Sequence, residues 1–435
     1  MFHLLKMILF FLAFFVLKHE YSTAQYIPPY TSFFIPLNKH TDAAKPLFSA
    51  QIMTSYSNFQ FNHSNFLIDI DAPITWHDCI VQWNMYQRNC PENVLCTDAV
   101  NCDEDICTEV QKYSYISPYC PRLKRTAPSP TGNCTCPINV MNPVDIWCSQ
   151  PVVNYDTFFV NTSNGRNPLP VFISASLNAA CAPSSSFELF PNNVNGVIAF
   201  SSSPYTFILS LDQPPLKKIF SLCLPSTTAA PGILFYGNGP YYFIPNSNVD
   251  VRSYLSYTPL LNHPDSFGYF IGVDSIVIKN RSINVPANST TKLSTIEPYT
   301  ALRTDIYNSV VRRFSLVTKR LIPTSPVPPF SNCYNTISNG TKLKLKVPHI
   351  DLILSGGNKW TISTTNSMKY VTQNVSCLAF VDGGATPNYA IVIGTFQFED
   401  NFLELNLENS TFGFSSSLLR KHTSCSHYNH TIVTG

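Results

Sequence analysis

Apolar positions along this chain come in short runs separated by Pro, Gly, Asn and Ser, and very few stretches carry a helical period. Runs of this length, bounded by turn residues, read as strands. The pattern predicts strands at 66–70, 170–174, 197–200, 232–236, 269–278, 343–347, 350–354, 390–393 and 402–407. One segment, residues 303–317 (RTDIYNSVVRRFSLV), places Ile306, Val310 and Phe314 on one helical face, with Thr304 as the expected N-cap. The fold class is therefore all-β with a few short helices. The 34 prolines, 31 phenylalanines and 22 tyrosines fit that reading.

The first residues differ from the rest. Lys6 precedes an apolar run at 7–17 (MILFFLAFFVL), and small residues Ser22-Thr23-Ala24 follow. A run this short cannot span a bilayer and matches a cleaved secretory signal over residues 1–24, with the mature chain starting near Gln25. No later stretch is long and apolar enough to predict a membrane anchor, so the expectation is secretion to the extracellular space. A mature chain of this size exceeds what one core supports, and two lobes are expected, 25–240 and 241–435. The boundary falls in the turn-rich Gly237-Asn-Gly-Pro240 and Pro245-Asn-Ser-Asn248 region.

Cysteines and sequons agree with that compartment. The 14 cysteines are Cys79, Cys90, Cys96, Cys102, Cys107, Cys120, Cys134, Cys136, Cys148, Cys181, Cys223, Cys333, Cys377 and Cys425. Their crowding between Cys79 and Cys148 reads as a disulfide-stapled, loop-rich region. Cys134-Thr-Cys136 lacks a second close pair and does not make a zinc site. Acceptor sequons for N-glycans stand at Asn62, Asn133, Asn161, Asn280, Asn288, Asn339, Asn374, Asn409 and Asn429. The net charge of +2 and the single short basic run Arg122-Leu-Lys-Arg125 give no footprint for nucleic acid. No phosphate-binding glycine loop, Gly-x-Ser-x-Gly or His-Glu-x-x-His occurs, and neither cofactor nor metal is expected. Trp76 and His77, beside Cys79, are expected to pack in a core.

Two stretches occupy matching places in the two halves. Phe66-Leu-Ile-Asp69-Ile-Asp71 and Lys292-Leu-Ser294-Thr-Ile-Glu297 each run from an apolar strand into a turn. Each is followed later by an apolar run beside glycine, at Gly196 and Gly394. This layout resembles the pepsin-like aspartic proteinases, in which each lobe offers Asp-Thr/Ser-Gly. Such chemistry needs two carboxylates sharing one proton. The loops here read Asp69-Ile70-Asp71 and Ser294-Thr295-Ile296, so one aspartate and both glycines are missing. Asp69 and Ser294 are read as vestigial, with Asp69 satisfied by its own loop's amides. Asp71 and Glu297 could be imagined as a displaced pair, but nothing in the spacing requires it. The expected absence of a catalytic dyad argues against an enzyme.

A narrower resemblance covers the whole mature chain. Its marks are Trp76-His-Asp-Cys79, Ala180-Cys181-Ala-Pro183, Ile233-Leu-Phe-Tyr-Gly237-Asn-Gly-Pro240, Ser294-Thr-Ile-Glu-Pro298-Tyr-Thr300, Asn366-Ser-Met368, Ile391-Val-Ile-Gly394 and Phe398-Glu-Asp-Asn401. The chain resembles the plant extracellular proteins that include xylanase inhibitors, xyloglucan-specific endoglucanase inhibitors, dermal glycoproteins and basic 7S seed globulins. The resemblance implies a bilobal pepsin-like fold with a degraded cleft, in the apoplast or cell wall. The chain departs from the family in its 14 cysteines, where 12 are usual, which implies an extra bridge. It also departs at Asp71-Ala72 and at Ala199-Phe200, changes that weigh against close packing of the lobes at the cleft.

Inhibitors of that family place basic side chains of the C-terminal lobe in the groove of a microbial glycoside hydrolase. The resemblance points to Arg420, Lys421 and His422 ahead of Cys425, and to Lys319 and Arg320 ahead of Cys333. A cation between the two catalytic carboxylates of a retaining glycosidase, roughly 5–5.5 Å apart, makes charge-assisted bonds to both. His422 stands where the xyloglucanase type has arginine and Lys421 where the xylanase type has histidine, so neither subtype is matched. Imidazole charges below about pH 6.5 in its unperturbed state, so inhibition through His422 would strengthen in acid. The alternatives are a non-catalytic storage, peptide-binding or wall-binding glycoprotein of the basic 7S type, and a residual aspartic-type endopeptidase. No membrane or nucleic-acid partner is implied.

Overall fold

The computed structural model describes residues 30–431, except 57–59, 79–97, 117–119, 124–133, 146, 212–215, 247, 288, 339–340 and 343–344. Residues 1–24, read above as a secretory signal, and Cys79, Cys90, Cys96, Asn133, Asn288 and Asn339 thus lie outside the described residues, as do the side chains of Asn62 and of 338–344.

A sheet of 13 described strands forms the backbone of the molecule. Ser32–His40 lies between Gly232–Gly237 and Leu47–Tyr56, and Gln60–Asp69 continues beyond them. At the far side the same sheet takes in Ile219–Cys223, Phe402–Asn406, Thr411–Phe414 and Ser256–Pro259, so both halves of the chain build it. The long strands alternate between core and exterior. In Pro168–Ala182, for example, Ile173, Ala175, Leu177 and Ala179 turn into the core while Phe172 and the intervening residues face out.

The two halves repeat one local topology. In the first, Gln60–Asp69 runs parallel to Val194–Ala199, which pairs antiparallel with Trp76–Asp78, which runs parallel to Pro168–Ala182. In the second, Thr291–Leu293 runs parallel to Ile391–Ile393, which pairs antiparallel with Thr300–Leu302, which runs parallel to Phe380–Asp382. The glycine of each motif is demanded by close approach. A Cβ on Gly196 would sit 2.5 Å from the Phe66 ring, and one on Gly394 would sit 2.7 Å from the Glu297 carbonyl oxygen.

The helix at Thr304–Val317 buries Ile306, Val310 and Phe314, as its period predicts. Its N-cap position is Arg303 rather than Thr304: Thr304 is the first helical residue, and its Oγ1 donates instead to Asp382 Oδ1 at 2.7 Å. The strand expected over 343–347 does not appear at 345–347, where the backbone is irregular. Trp76 and His77 are core residues. Trp76 stacks on Phe187 with ring centroids 5.0 Å apart, and His77 Nε2 pairs with Asp156 Oδ2 at 3.0 Å. Burial opposes the His77 charge, but Asp156 outweighs it and raises the imidazole pKa.

Five disulfides join described cysteines. Cys102–Cys134, Cys107–Cys136 and Cys120–Cys148 cross-link the cysteine-rich segment, Cys333–Cys377 ties two strands of the second half, and Cys223–Cys425 spans 202 residues. Cys181 is disulfide-bonded as well. Both members of Cys134-Thr-Cys136 are consumed in bridges. Among the described residues no helix is long and apolar enough to cross a membrane.

Candidate functional site

The two matching loops meet at the centre of the molecule. Asp69 closes the strand Gln60–Asp69, where its carbonyl accepts the Phe200 amide at 2.8 Å. Ser294 follows Thr291–Leu293, and its amide donates to the Ile393 carbonyl at 3.0 Å. Their side chains do the same local work. Asp69 Oδ1 accepts the Asp71 amide at 2.8 Å, and Ser294 Oγ accepts the amides of Ile296 and Glu297 at 3.2 and 3.0 Å. Asp69 is thus satisfied by its own loop. Burial and then the nearby Asp71 charge push its carboxyl pKa up to about 6.

Thr295 joins the loops. Its Oγ1 donates to the Ile68 carbonyl at 2.6 Å and accepts the Ile70 amide at 3.2 Å. The predicted loosening of the lobes at Asp71-Ala72 is therefore not what the structure has. Asp71 itself makes the crossing tighter: Oδ1 accepts from Ser266 Oγ at 2.7 Å, and Oδ2 pairs with Lys292 Nζ. Lys292 also lies 5.1 Å from the Tyr389 ring centroid. Burial would lower the Lys292 pKa, but Asp71 more than reverses that and raises it. Ala199-Phe200 likewise does not open the cleft, since the Phe200 carbonyl accepts the buried Tyr269 hydroxyl at 2.9 Å. Glu297 pairs with Lys45 at 3.8 Å and Asp71 with Lys292, so each carboxylate of the imagined displaced pair has a cation of its own.

The role of Lys292 was missed in the sequence, although a charge two residues before Ser294, in the short strand that leads into the loop, was a visible signal. The same holds for Lys39, the penultimate residue of the strand Ser32–His40, which donates to Glu399 Oε1 at 2.6 Å. Both side chains are almost fully buried, and burial pushes the Glu399 carboxyl pKa up to about 7 against the pull of Lys39.

The basic candidates occupy two separate turns. Leu418–Lys421 is a single 3-10 turn whose Leu418 is buried while Arg420, Lys421 and His422 are exposed. Arg420 donates to the His349 ring at 2.6 Å, and Lys421 Nζ lies 4.9 Å from the Tyr254 centroid. His422 ends the turn in the left-handed region, φ 59°, a conformation His tolerates better than most residues. Asn246 Nδ2 donates to the Lys421 carbonyl at 2.7 Å, and Thr423 Oγ1 to the Ile244 carbonyl at 2.8 Å, so the turn is fixed on both sides. Lys319 and Arg320 are exposed just beyond the helix Thr304–Val317. Among the described residues no hydrogen bond or ion pair links them to Arg420, Lys421 or His422.

Of the sequons, Asn280, Asn374 and Asn409 are exposed in turns. Asn161 is half-buried within the strand Val152–Ser163, and Asn429 is half-buried with its Nδ2 donating to Asn167 at 3.2 Å.

Known proteins supply the context for this geometry. Residues 54–238 match the family described as xylanase inhibitor N-terminal, and residues 268–416 match xylanase inhibitor C-terminal. Probable aspartic proteinase GIP2 of Nicotiana benthamiana is 34% identical over 69% of this chain and 74% of its own length. Gamma conglutin 1 of Prunus dulcis is 35% identical over 68% of this chain and 69% of its own. The crystal structure of edgp superposes with a TM-score of 0.76 at 28% identity, covering 92% of this chain and 98% of that one. Conglutin gamma, a basic 7S globulin from lupine seeds, gives 0.74 at 25% identity, covering 93% and 100%. Pepsin-like topology repeated in two lobes, loops gripped by Thr295, and similarity along most of the sequence agree: the chain belongs to the xylanase-inhibitor family of bilobal pepsin-like proteins, together with the gamma conglutins and basic 7S globulins.

Proposed function

We propose that this chain is a secreted, non-proteolytic inhibitor of microbial cell-wall-degrading glycoside hydrolases, acting in the plant apoplast. Loss of proteolysis follows from Ser294 standing where the second catalytic aspartate would be. A serine hydroxyl does not ionise in the range of a carboxyl, so it cannot take the second carboxyl's part in sharing a proton with Asp69; Ser294 Oγ instead accepts two backbone amides. The Asp71–Lys292 pair adds a fixed cation beside Asp69 instead of a second acid.

The observation that carries the inhibitor reading is the exposed Arg420-Lys421-His422 turn. It is short, basic and held on both sides by side-chain bonds to 244–246, so it meets a carboxylate-lined groove without a large ordering cost. Lys319 and Arg320 offer a second basic turn to the same class of partner. The test is residual activity of fungal xyloglucan- and xylan-cleaving enzymes at pH 5, titrated with the purified glycoprotein and with a His422→Ala variant. Stoichiometric loss of one activity supports the reading and names the target, and undiminished inhibition by His422→Ala removes that residue from it.

The similarity to gamma conglutins and basic 7S globulins favours a second reading, a storage or wall-binding glycoprotein. Full activity across the hydrolase panel would favour that one.

A further inference from the structure

Lys279, Arg281, Arg312, Arg313, Lys319 and Arg320 gather around the C-terminal half of the helix Thr304–Val317. Arg312 and Arg313 belong to the helix, and Lys319-Arg320 follow its end. Lys279 and Arg281 come from the hairpin formed by the strands Val273–Ile278 and Arg281–Asn284. Arg313 fastens that hairpin to the helix: its Nε donates to the Ile278 carbonyl at 3.2 Å and its Nη2 to the Lys279 carbonyl at 2.9 Å. Arg281 stands opposite Ile278 in the hairpin register, so it borders the same junction. Arg313 is half-buried, and the other five side chains are exposed.

Acids do not balance these charges. Among the described residues none of the six cations has an ion pair. Asp305, two turns before Arg312 on the helix, is held by Arg303 at 2.7 Å. Asp351, opposite Val277, pairs with Lys359 at 3.6 Å. Helix dipoles favour cations only within the last turn, which does not account for the hairpin. Lys279 is a second sign. It sits at φ 47° with Asn280 at φ 60°, a left-handed two-residue turn that favours Asn-Gly. A lysine there carries a steric cost that glycine would not, and what it brings to the surface is a charge.

The arrangement selects the kind of partner. The cations are distributed over a helix, the turn beyond it and a hairpin, which suits a chain of repeated anions better than one small anion. Arginine predominates, and its guanidinium matches a carboxylate in a two-bond fork. Disulfides such as Cys223–Cys425 and Cys333–Cys377 fit an oxidising compartment, where nucleic acid and the anionic cytoplasmic leaflet are out of reach. Leu316 and Ile322, exposed close to Arg312 and Arg320 in sequence, offer apolar contact to sugar rings. We propose that this surface binds an acidic polysaccharide, a linear chain carrying carboxylates at regular intervals. The proposal does not depend on the chain inhibiting any hydrolase, and it gives Lys319 and Arg320 a partner whether or not they also touch one.

The test is calorimetric titration of the purified glycoprotein with polygalacturonate, with neutral dextran and phosphatidylserine vesicles as the other classes. The glycosylated chain is used because the sequon at Asn280 lies between Lys279 and Arg281. Polygalacturonate should bind saturably at about 50 mM NaCl, and the affinity should fall about tenfold or more by about 200 mM as counterions are released. Lys319→Glu/Arg320→Glu should weaken binding about tenfold or more, and Arg312→Glu should act in the same direction. Arg420→Glu/Lys421→Glu makes an equal change of charge at the other basic turn, and should weaken binding less than about twofold. Circular dichroism would confirm that each variant is folded, and Arg312→Glu decides the matter should the first double variant unfold. Absence of saturable binding, indifference to salt, equal losses in the two double variants, or tighter binding to vesicles than to polygalacturonate would each overturn the proposal.

Discussion

Thr295 of the second loop holds Ile68 of the first: its hydroxyl donates to the Ile68 carbonyl at 2.6 Å and accepts the Ile70 amide at 3.2 Å. One buried side chain thus serves as donor and acceptor between the two halves of the chain. Thr295→Val keeps the shape and removes both bonds. Leaving a buried amide unpaired costs on the order of 1–3 kcal/mol. Urea unfolding of Thr295→Val should show a lower midpoint and an unfolding free energy reduced by that amount, whereas Thr295→Ser should retain most of the stability. Equal stability of the Val variant would mean the grip is not energetically significant.

Asp69 gives the protein a pH dependence that can be isolated. Its folded pKa is pushed up to about 6, above the ordinary aspartate value of 3.8. Between those values the folded state binds more protons than the unfolded one, so stability is greatest below about pH 4 and declines as pH rises to about 6. The full effect is on the order of 2–3 kcal/mol, from 1.36 kcal/mol per pKa unit. Glu399, raised to about 7, acts in the same direction and extends the decline. Asp69→Asn preserves the acceptor for the Asp71 amide but has no proton to lose. Its stability relative to the parent should therefore improve on going from pH 4 to pH 7, as read by denaturant midpoints at the two values. An unchanged difference would mean that the carboxyl is not held in its acid form.

The fold was legible in the sequence because it depends on short apolar runs, on glycines that cannot carry a Cβ, and on a helix with a clear period. Gly196, Gly394 and the stripe Ile306, Val310, Phe314 all behave as those rules require. The cleft was legible only in part. Sequence reading identified Asp69 and Ser294, but treated Asp71-Ala72 as a loss of packing. Asp71 instead gains partners from Ser266, 195 residues away, and Lys292, 221 residues away, and no local rule reports pairings at that separation. A cavity of about 620 Å³ lined by Met368, Tyr370 and Leu419 was not legible at all. It is assembled from segments near 226, 345, 364–370, 399–400 and 419, whose individual residues are ordinary.

Restoring one carboxylate should not restore proteolysis. Ser294→Asp would place an acid on the second loop, but Asp71 and Ile296 still stand where glycines allow the loops of an active enzyme to approach. Lys292 would remain beside Asp69 as a counter-charge that disfavours a shared proton. Casein cleavage by Ser294→Asp at pH 4 should stay at background, with or without pepstatin. Pepstatin-sensitive cleavage by this single variant would show that the second aspartate was the only missing element.

The bridge Cys223–Cys425 bears on both stability and the proposed inhibitory turn. Both cysteines are fully buried, and Cys425 lies three residues beyond His422 in sequence. Closing a loop with a sequence separation of 202 residues removes unfolded-state entropy worth about 5 kcal/mol in the chain-entropy description. The bridge also fastens the end of the chain to the strand Ile219–Cys223, at the edge of the same buried cluster that holds Leu418 and Tyr428. A Cys223→Ala/Cys425→Ala double variant should unfold at distinctly lower denaturant, with proteolysis beginning at the C-terminal segment. If Arg420, Lys421 and His422 act as a pre-set group, the double variant should also lose inhibition of the target hydrolase under conditions where it remains folded. Lost stability with full inhibition would mean that the turn is held by the Asn246 and Thr423 bonds alone. Binding would then owe nothing to the bridge.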